Sequence, residues 1–81
     1  MKPRKKYGDL NMVGKKIEAL RNEKKIKQKD FISKMQTMGC DINPTSYSKL
    51  EGQIRSINDY ELIALSDVLG VSVNWLLGIE K

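Results

Sequence analysis

The sequence has no histidine, a single cysteine and only two prolines among its 81 residues. Without histidine, the chain cannot build a Ser-His triad, a histidine-containing zinc site or histidine-based acid-base catalysis. Cys40 alone cannot form an internal disulfide, and no apolar run is long enough for a signal peptide or a membrane span. We therefore expect a cytoplasmic protein with no catalytic site, no metal or other cofactor, and no membrane-spanning segment.

Positive charge is concentrated at the start of the chain. Residues 1–29 contain eleven Lys or Arg against three acids, whereas residues 56–81 contain one against four. The overall composition, 40% hydrophobic and 31% charged, is typical of one small compact domain at this length. A basic region favours a polyanion, which can be nucleic acid or an anionic membrane surface, and charge alone does not choose between them.

The hydrophobic pattern predicts five short helices and no strand, beginning after a basic arm. Residues 1–8 have no hydrophobic period and are interpreted as a flexible arm, which leaves residues 9–81 as the folded domain. Helix 1 is predicted over residues 10–23 from an apolar stripe that starts at Leu10. Its N-cap is expected to be Asp9 or Asn11.

Helix 2 is predicted to begin at Gln28 and to end at Met35 or Gln36. Lys27 occupies its N-cap position and is a poor cap, since it has no side-chain oxygen to accept from the helix start. A gap of about six residues follows, in which Gly39 can adopt a positive φ angle. Helix 3 then begins at Pro44.

The last two helices are indicated by their capping residues. Asn58, with Glu61 three residues on, predicts a capping box for helix 4, and Gly70 is expected to end that helix in a left-handed turn. Ser72 is expected to cap a fifth short helix that runs to Leu77.

Residues 43–51 predict a helix whose first turn is polar but carries no acid. Asn43 is a good N-cap, and Pro44 suits the first helical position because its missing N–H is not needed there. A helix start normally attracts Asp or Glu to its partial positive charge, so this end is left free for an anion of another molecule. Tyr47 and Leu50 can pack one face into a core. The outer face then carries Thr45, Ser46, Ser48 and Lys49, which suits the reading of base edges.

Two short helices joined by a turn, the first opened by Gln28 and the second closed by Leu50 and Glu51, resemble the helix-turn-helix of the phage Cro/repressor-type (XRE) family. Arg21, Gly52 and the run LGVSVNWLL at residues 69–77 extend the match. The resemblance implies an all-α, five-helix bundle, a lambda-repressor-like DNA-binding domain. The turn between helices 2 and 3 is longer here than the tight turn of the family.

DNA backbone contacts are expected for three residues, one of which the resemblance implies, while the other two lie where the sequence departs from the family pattern. Gln28 corresponds to the family's glutamine that opens helix 2 and binds a backbone phosphate. Lys27 places a charge close to the expected backbone, and Arg55 is expected to supply one phosphate contact from the loop after helix 3.

Other residues fall on positions that face the bases in phage repressors. Lys49 can donate to guanine O6 and N7 or touch only phosphate, whereas Pro44 offers at most apolar contact with a thymine methyl. Thr45 shares this base-facing side. Backbone and base contacts are both open for Asn43, Ser46 and Ser48.

Two further pairs have architectural roles. The resemblance implies a partly buried salt bridge between Arg21 and Glu51, which ties helix 1 to the end of helix 3. Trp75 and Ile79, one helical turn apart, are interpreted as a possible apolar dimer patch, with core packing of Trp75 as the alternative. Such a dimer would place two copies in successive major grooves.

The leading hypothesis is a sequence-specific DNA-binding transcriptional regulator, a repressor that acts as a homodimer on a double-stranded operator through residues 44–50. It would be bacterial or phage-encoded. The alternative is a protein-interaction module that keeps the fold, antitoxin-like or bound to a toxin or polymerase subunit. An enzyme is not expected, since Gly8 and Gly14 do not have phosphate-loop spacing. A membrane-binding helix is disfavoured because one folded domain accounts for the apolar stripe of helix 1.

Overall fold

A computed structural model describes residues 10–79, so the arm predicted over residues 1–8 lies outside the described part. Within residues 10–79 the chain forms five helices and no strand, which confirms the predicted all-α class. The helices are α1 (Gly14–Glu23), α2 (Gln28–Thr37), α3 (Pro44–Glu51), α4 (Asp59–Leu69) and α5 (Val73–Leu76). The domain limits at residues 9 and 81 stay a prediction.

Helix α1 begins four residues later than predicted, at Gly14. The Asn11 side-chain oxygen accepts from the backbone N–H groups of Val13 (3.1 Å) and Gly14 (2.8 Å), so Asn11 closes a turn before the helix starts. Leu10 lies outside the helix, is 41% exposed, and donates its N–H to the carbonyl of Gln53. The predicted apolar stripe was therefore wrong at Leu10, because this segment pairs with the loop after α3 instead of continuing the helix.

Helices α2 and α3 begin where the sequence predicted, and six residues separate them. Lys27 makes no side-chain cap bond, whereas the Asn43 side chain accepts from the N–H of Ser46 at 2.7 Å. Gly39 has a φ of 86°, which side-chain-bearing residues rarely adopt. The lengthened turn is thus an ordered connection, and Gln36 fastens it by donating to the carbonyl of Ile42 at 3.2 Å.

The predicted capping of the last two helices is confirmed. Asn58 and Glu61 form both bonds of a capping box at the start of α4, and Gly70 ends the helix with a φ of 70°. The Ser72 side chain accepts from the N–H of Trp75, and α5 ends at Leu76, one residue earlier than predicted.

One apolar core fixes the inner side of α3. Tyr47 and Leu50 are fully buried in it, and the Tyr47 ring lies 5.3 Å from the ring of Phe31 in α2. At the C-terminal end of α3, Gly14 of α1 lies so close that a Cβ atom there would overlap the carbonyl oxygen of Leu50. The contact between α1 and α3 therefore requires glycine. The buried core consists of Val13, Ile17, Phe31, Ile32, Met35, Ile42, Tyr47, Leu50, Ala64, Leu65, Leu69 and Leu76.

Candidate nucleic-acid interface

The side of α3 that faces away from the core is open to solvent. α3 has eight residues, and an α-helix with its side chains is about 10 to 12 Å across, which fits a DNA major groove about 12 Å wide. Its first turn contains no acidic residue, as predicted. The exposed positions are Asn43, Pro44, Thr45, Ser48 and Lys49, while Ser46 is half-buried.

The opposite side of α3 ends in a buried polar group that we call the Glu51 cluster, formed by Arg21, Gln28, Tyr47 and Glu51. Glu51 is only 3% exposed. Its Oε2 accepts from Arg21 Nε at 2.6 Å and from the Tyr47 hydroxyl at 2.5 Å. Its Oε1 accepts from Arg21 Nη2 and from Gln28 Nε2, both at 3.0 Å. The cluster joins α1, α2 and α3 at a single carboxylate.

The donors of the Glu51 cluster fill the acceptor capacity of the carboxylate. A carboxylate has about four lone-pair sites, and four donors occupy them here. A third nitrogen of Arg21, Nη1, donates to the carbonyl of Ile26 at 2.7 Å. Among residues 10–79 no buried side-chain nitrogen or oxygen lacks a hydrogen-bond partner. The predicted link between Arg21 and Glu51 is therefore present as part of a larger group.

The electrostatics of the Glu51 cluster keep Arg21 charged and Tyr47 neutral. The hydrogen bond to Glu51 raises the pKa of the Arg21 guanidinium, with the charge of Glu51 adding to the effect against desolvation. Burial raises the pKa of the Tyr47 hydroxyl well above its ordinary value, and its hydrogen bond to Glu51 raises it further. Tyr47 therefore acts as a hydrogen-bond donor to the carboxylate.

Gln28 connects the other members of the Glu51 cluster to the exposed side of α3. Its Nε2 donates to Glu51, and its Oε1 accepts from the Ser48 hydroxyl at 3.2 Å. The sequence indicated a DNA phosphate as the partner of Gln28, and that contact stays a prediction. What sequence reasoning missed is that the amide already bridges two positions of α3, which lie far from Gln28 along the chain.

Arg55, predicted as a free phosphate contact, forms an ion pair within the protein. Its Nη1 and Nη2 donate to the two carboxylate oxygens of Glu61 at 3.0 and 2.9 Å. Its backbone carbonyl accepts from Asn11 Nδ2 at 2.8 Å. The sequence assigned Glu61 only to the capping box of α4, and the same carboxylate serves both purposes. A phosphate contact by Arg55 stays a prediction, and it would involve a guanidinium that is already paired.

Lys27 lies exposed directly before α2, beside the start of the helix that Gln28 opens. Its backbone is extended and its side chain makes no hydrogen bond with the start of α2. The predicted proximity to a DNA backbone stays a prediction.

At the far end of the domain, Trp75 and Ile79 have different environments. Trp75 is half-buried and packs against the core, and Lys16 Nζ lies 4.6 Å from its ring centroid while donating to its backbone carbonyl. Ile79 is 67% exposed. The core alternative thus describes part of the Trp75 side chain, and the exposed apolar surface of the predicted patch comes mainly from Ile79.

The described residues offer no candidate for other chemistry. Within residues 10–79 there is no group of three or more Cys, Asp or Glu side chains that could hold a metal ion. Burial raises the pKa of the Cys40 thiol, the opposite of what an activated thiolate requires. No helix in this part of the chain is long and apolar enough to cross a membrane.

Comparison with known proteins places this geometry in a family. A family model described as Helix-turn-helix matches residues 17–76, which cover α2, α3, α4, α5 and most of α1. Comparisons with curated proteins and with solved structures found no significant match.

Proposed function

Because the chain belongs to the Cro/repressor-type (XRE) helix-turn-helix family of DNA-binding transcription regulators, we propose that it reads specific sequences of double-stranded DNA with α3. The observation that carries this proposal is the division of α3 into two sides. Its inner side is buried and fully hydrogen-bonded, while its outer side is polar, exposed and free of acids. A helix held in this way can enter a major groove without rearrangement.

The proposed contacts fall into two sets. Lys27 and Gln28 lie at the start of α2, and Arg55 lies in the loop after α3. We assign all three to DNA phosphates, contacts with which fix the orientation of the domain without reading sequence. The outer side of α3 is assigned to base edges. This second set consists of Asn43, Pro44, Thr45, Ser46, Ser48 and Lys49.

We further propose that the protein is a repressor and acts as a homodimer. A domain that occupies an operator competes for it with other proteins, so repression needs no additional contact. Ile79, with the exposed part of Trp75, supplies the apolar surface for a two-fold contact, which would place two copies of α3 in successive major grooves. Such a regulator would act in the bacterial cytoplasm, whether its gene is bacterial or phage-borne.

A second candidate is a module of the same fold that binds a protein partner. The observation in its favour is a second exposed surface, which is not part of the outer side of α3. It consists of Met38, Tyr60 and Ile63, which line a cavity of about 210 Å³. Asp67 lies at the same cavity. Sequence preference on DNA distinguishes this candidate from the first.

Binding selection from a random duplex pool with the full chain tests the leading proposal. The expected result is one preferred sequence, with half-sites about 10 to 10.5 base pairs apart if a dimer binds one face of the duplex. Affinity should fall with salt at a log-log slope of about 0.9 per phosphate contacted. Weak and equal binding to every duplex would contradict the proposal and favour the protein-partner candidate.

Sedimentation equilibrium tests the dimer separately. Ile79→Ser should lower the association constant and weaken binding to a two-half-site duplex more than to a single half-site. Met12→Ser, which alters another apolar side chain that is 67% exposed and belongs to neither proposed protein contact, is the matched control and should leave both unchanged. Equal association of wild type and Ile79→Ser would place the contact elsewhere.

A further inference from the structure

Three residues form a chain of hydrogen bonds that runs from the buried Glu51 carboxylate to the exposed side of α3. Glu51 Oε1 accepts from Gln28 Nε2 at 3.0 Å, and Gln28 Oε1 accepts from Ser48 Oγ at 3.2 Å. Ser48 itself is exposed on the proposed DNA-facing side, one residue before Lys49. The direction of each bond in this chain is set by chemistry.

The buried carboxylate decides the orientation of the Gln28 amide. A carboxylate only accepts hydrogen bonds, so the amide must turn its NH₂ group, and not its oxygen, toward Glu51. Arg21 and Tyr47 fill the other acceptor sites of Glu51 and hold the carboxylate in place. The amide oxygen of Gln28 is thereby directed toward Ser48.

The amide oxygen in turn decides the polarity of Ser48. An amide oxygen only accepts, so the contact between Gln28 and Ser48 uses the single proton of the serine hydroxyl. What the hydroxyl then presents to solvent is its lone pairs. With its proton held by Gln28, Ser48 can accept a hydrogen bond from DNA but cannot donate one.

We propose that Ser48 is a specificity-determining residue that reads the duplex as a hydrogen-bond acceptor, and therefore selects a base carrying an exocyclic amino group. In the major groove these groups are N6 of adenine and N4 of cytosine. Guanine O6 and N7, thymine O4 and the phosphate oxygens are all acceptors, so none of them can bond to it. The inference rests on the proposed function of α3, and it removes the backbone contact that the sequence left open for Ser48.

The proposal predicts an unusual form of preference at one position of the binding site. Adenine and cytosine should be favoured together over guanine and thymine on the contacted strand. A bidentate contact would instead select a single base. Because one hydrogen bond is involved, the expected ratio is about 2- to 12-fold in affinity.

Gln28 acts here as a positioning residue, through Ser48. Gln28→Met keeps a side chain of similar length but gives up the amide, which leaves Arg21 and Tyr47 on Glu51 and releases the proton of Ser48. A free hydroxyl can both donate and accept, so guanine and thymine should become acceptable at the same position. Other positions of the site should keep their preferences.

Binding selection from a random duplex pool, run on the full chain and on three variants, tests the inference. For wild type, one position of the selected site should favour A or C over G or T. Ser48→Ala should abolish the preference at that position alone, and Gln28→Met should reduce it there. Ser33→Ala, an exposed serine of α2, is the matched control and should reproduce the wild-type site. Thermal unfolding of each variant checks that the fold is retained.

The outcomes separate this inference from the function on which it rests. If wild type selects no preferred sequence, the proposed function fails and this inference fails with it. If wild type selects a site and Ser48→Ala leaves every position unchanged, only the role of Ser48 is rejected. If Ser48→Ala flattens a position that favoured G or T, the hydroxyl donates in the complex and the stated polarity is wrong.

Discussion

The two sides of α3 differ in how fully their hydrogen bonds are used within the protein. On the inner side, Glu51 accepts four hydrogen bonds and Tyr47 is fully buried. On the outer side, Thr45, Ser48 and Lys49 are exposed. A recognition surface needs both an exposed side and a fixed one, because an outer side can present fixed groups to DNA only if the inner side prevents the helix from rotating or shifting.

Removal of the Glu51 carboxylate should have the largest effect on the inner side. Glu51→Ala leaves the buried Arg21 guanidinium without its ionic partner, which is expected to lower the free energy of unfolding by about 3 to 5 kcal/mol. Urea unfolding followed by circular dichroism measures it. Glu18→Ala, an exposed glutamate of α1, is the control and should change stability by at most about 0.5 kcal/mol.

A double variant tests whether the stranded Arg21 charge causes this loss of stability. Arg21→Met combined with Glu51→Leu leaves no charge stranded, so it should be less destabilising than Glu51→Ala. If the double variant were the less stable of the two, the ion pair itself, and not the stranded charge, would be responsible for the effect.

Tyr47→Phe should remove one donor from the inner side and lower the free energy of unfolding by about 1.5 to 3 kcal/mol, as for other hydrogen bonds to charged groups. The effect should also depend on pH. Since burial raises the pKa of Tyr47 in the folded state, its stabilising contribution is complete below the unfolded value of about 10 and declines as pH rises above it.

Unfolding titrations between neutral and alkaline pH measure this dependence. The stability difference between wild type and Tyr47→Phe should shrink above pH 10 or so, as the tyrosine of the unfolded chain ionises. Tyr60→Phe, which alters an exposed tyrosine, provides the comparison. A difference that stays constant across this pH range would be inconsistent with a neutral, buried Tyr47.

On the outer side, Lys49→Ala should change DNA recognition without changing stability. We expect a loss of about 1 to 3 kcal/mol in binding that depends on the identity of one base pair, if the lysine donates to guanine. Lys34→Ala is the matched control, since Lys34 is likewise exposed in the last turn of its helix. A loss of equal size on every duplex would assign Lys49 to phosphate instead.

The smallest expected effect lies at Asn43, where the two sides meet at the start of α3. Asn43→Ala removes the bond accepted from the N–H of Ser46 and should lower the free energy of unfolding by about 1 kcal/mol. Asn43→Ser restores a capping oxygen and should recover most of it. Thermal unfolding measures both. If serine and alanine were equivalent, the cap bond would not contribute to stability.

Much of the fold could be predicted because its signals are local. Asn43 and Pro44 mark the start of α3, and Asn58 with Glu61 marks the start of α4, through bonds that span three residues. The start of α1 was missed for the opposite reason. Asn11 donates to the carbonyls of Leu50 and Arg55, which lie 39 and 44 positions further along the chain. No helical period within residues 10–23 contains that information.

The candidate site divides in the same way. The exposure of Thr45, Ser48 and Lys49 could be predicted from the helical period of α3, since Tyr47 and Leu50 had to face the core. The pairing of Arg21 with Glu51 was expected only through the resemblance to a family. The engagement of Gln28 with Glu51 and Ser48, and of Arg55 with Glu61, was not predicted. Gln28 meets Glu51 and Ser48 because α2 packs against α3, and Arg55 meets Glu61 through the path of the loop that joins α3 to α4.

By itself, the sequence determined the number of helices, the caps that start and end most of them, and the concentration of positive charge in the first third. These properties depend on the charges themselves or on interactions between residues a few positions apart, which form in the same way in any packing. Only the tertiary structure decided which polar groups became partners. Gln28 and Ser48 are 20 positions apart, and they meet because burial of the core residues of α2 and α3 brings the two helices together.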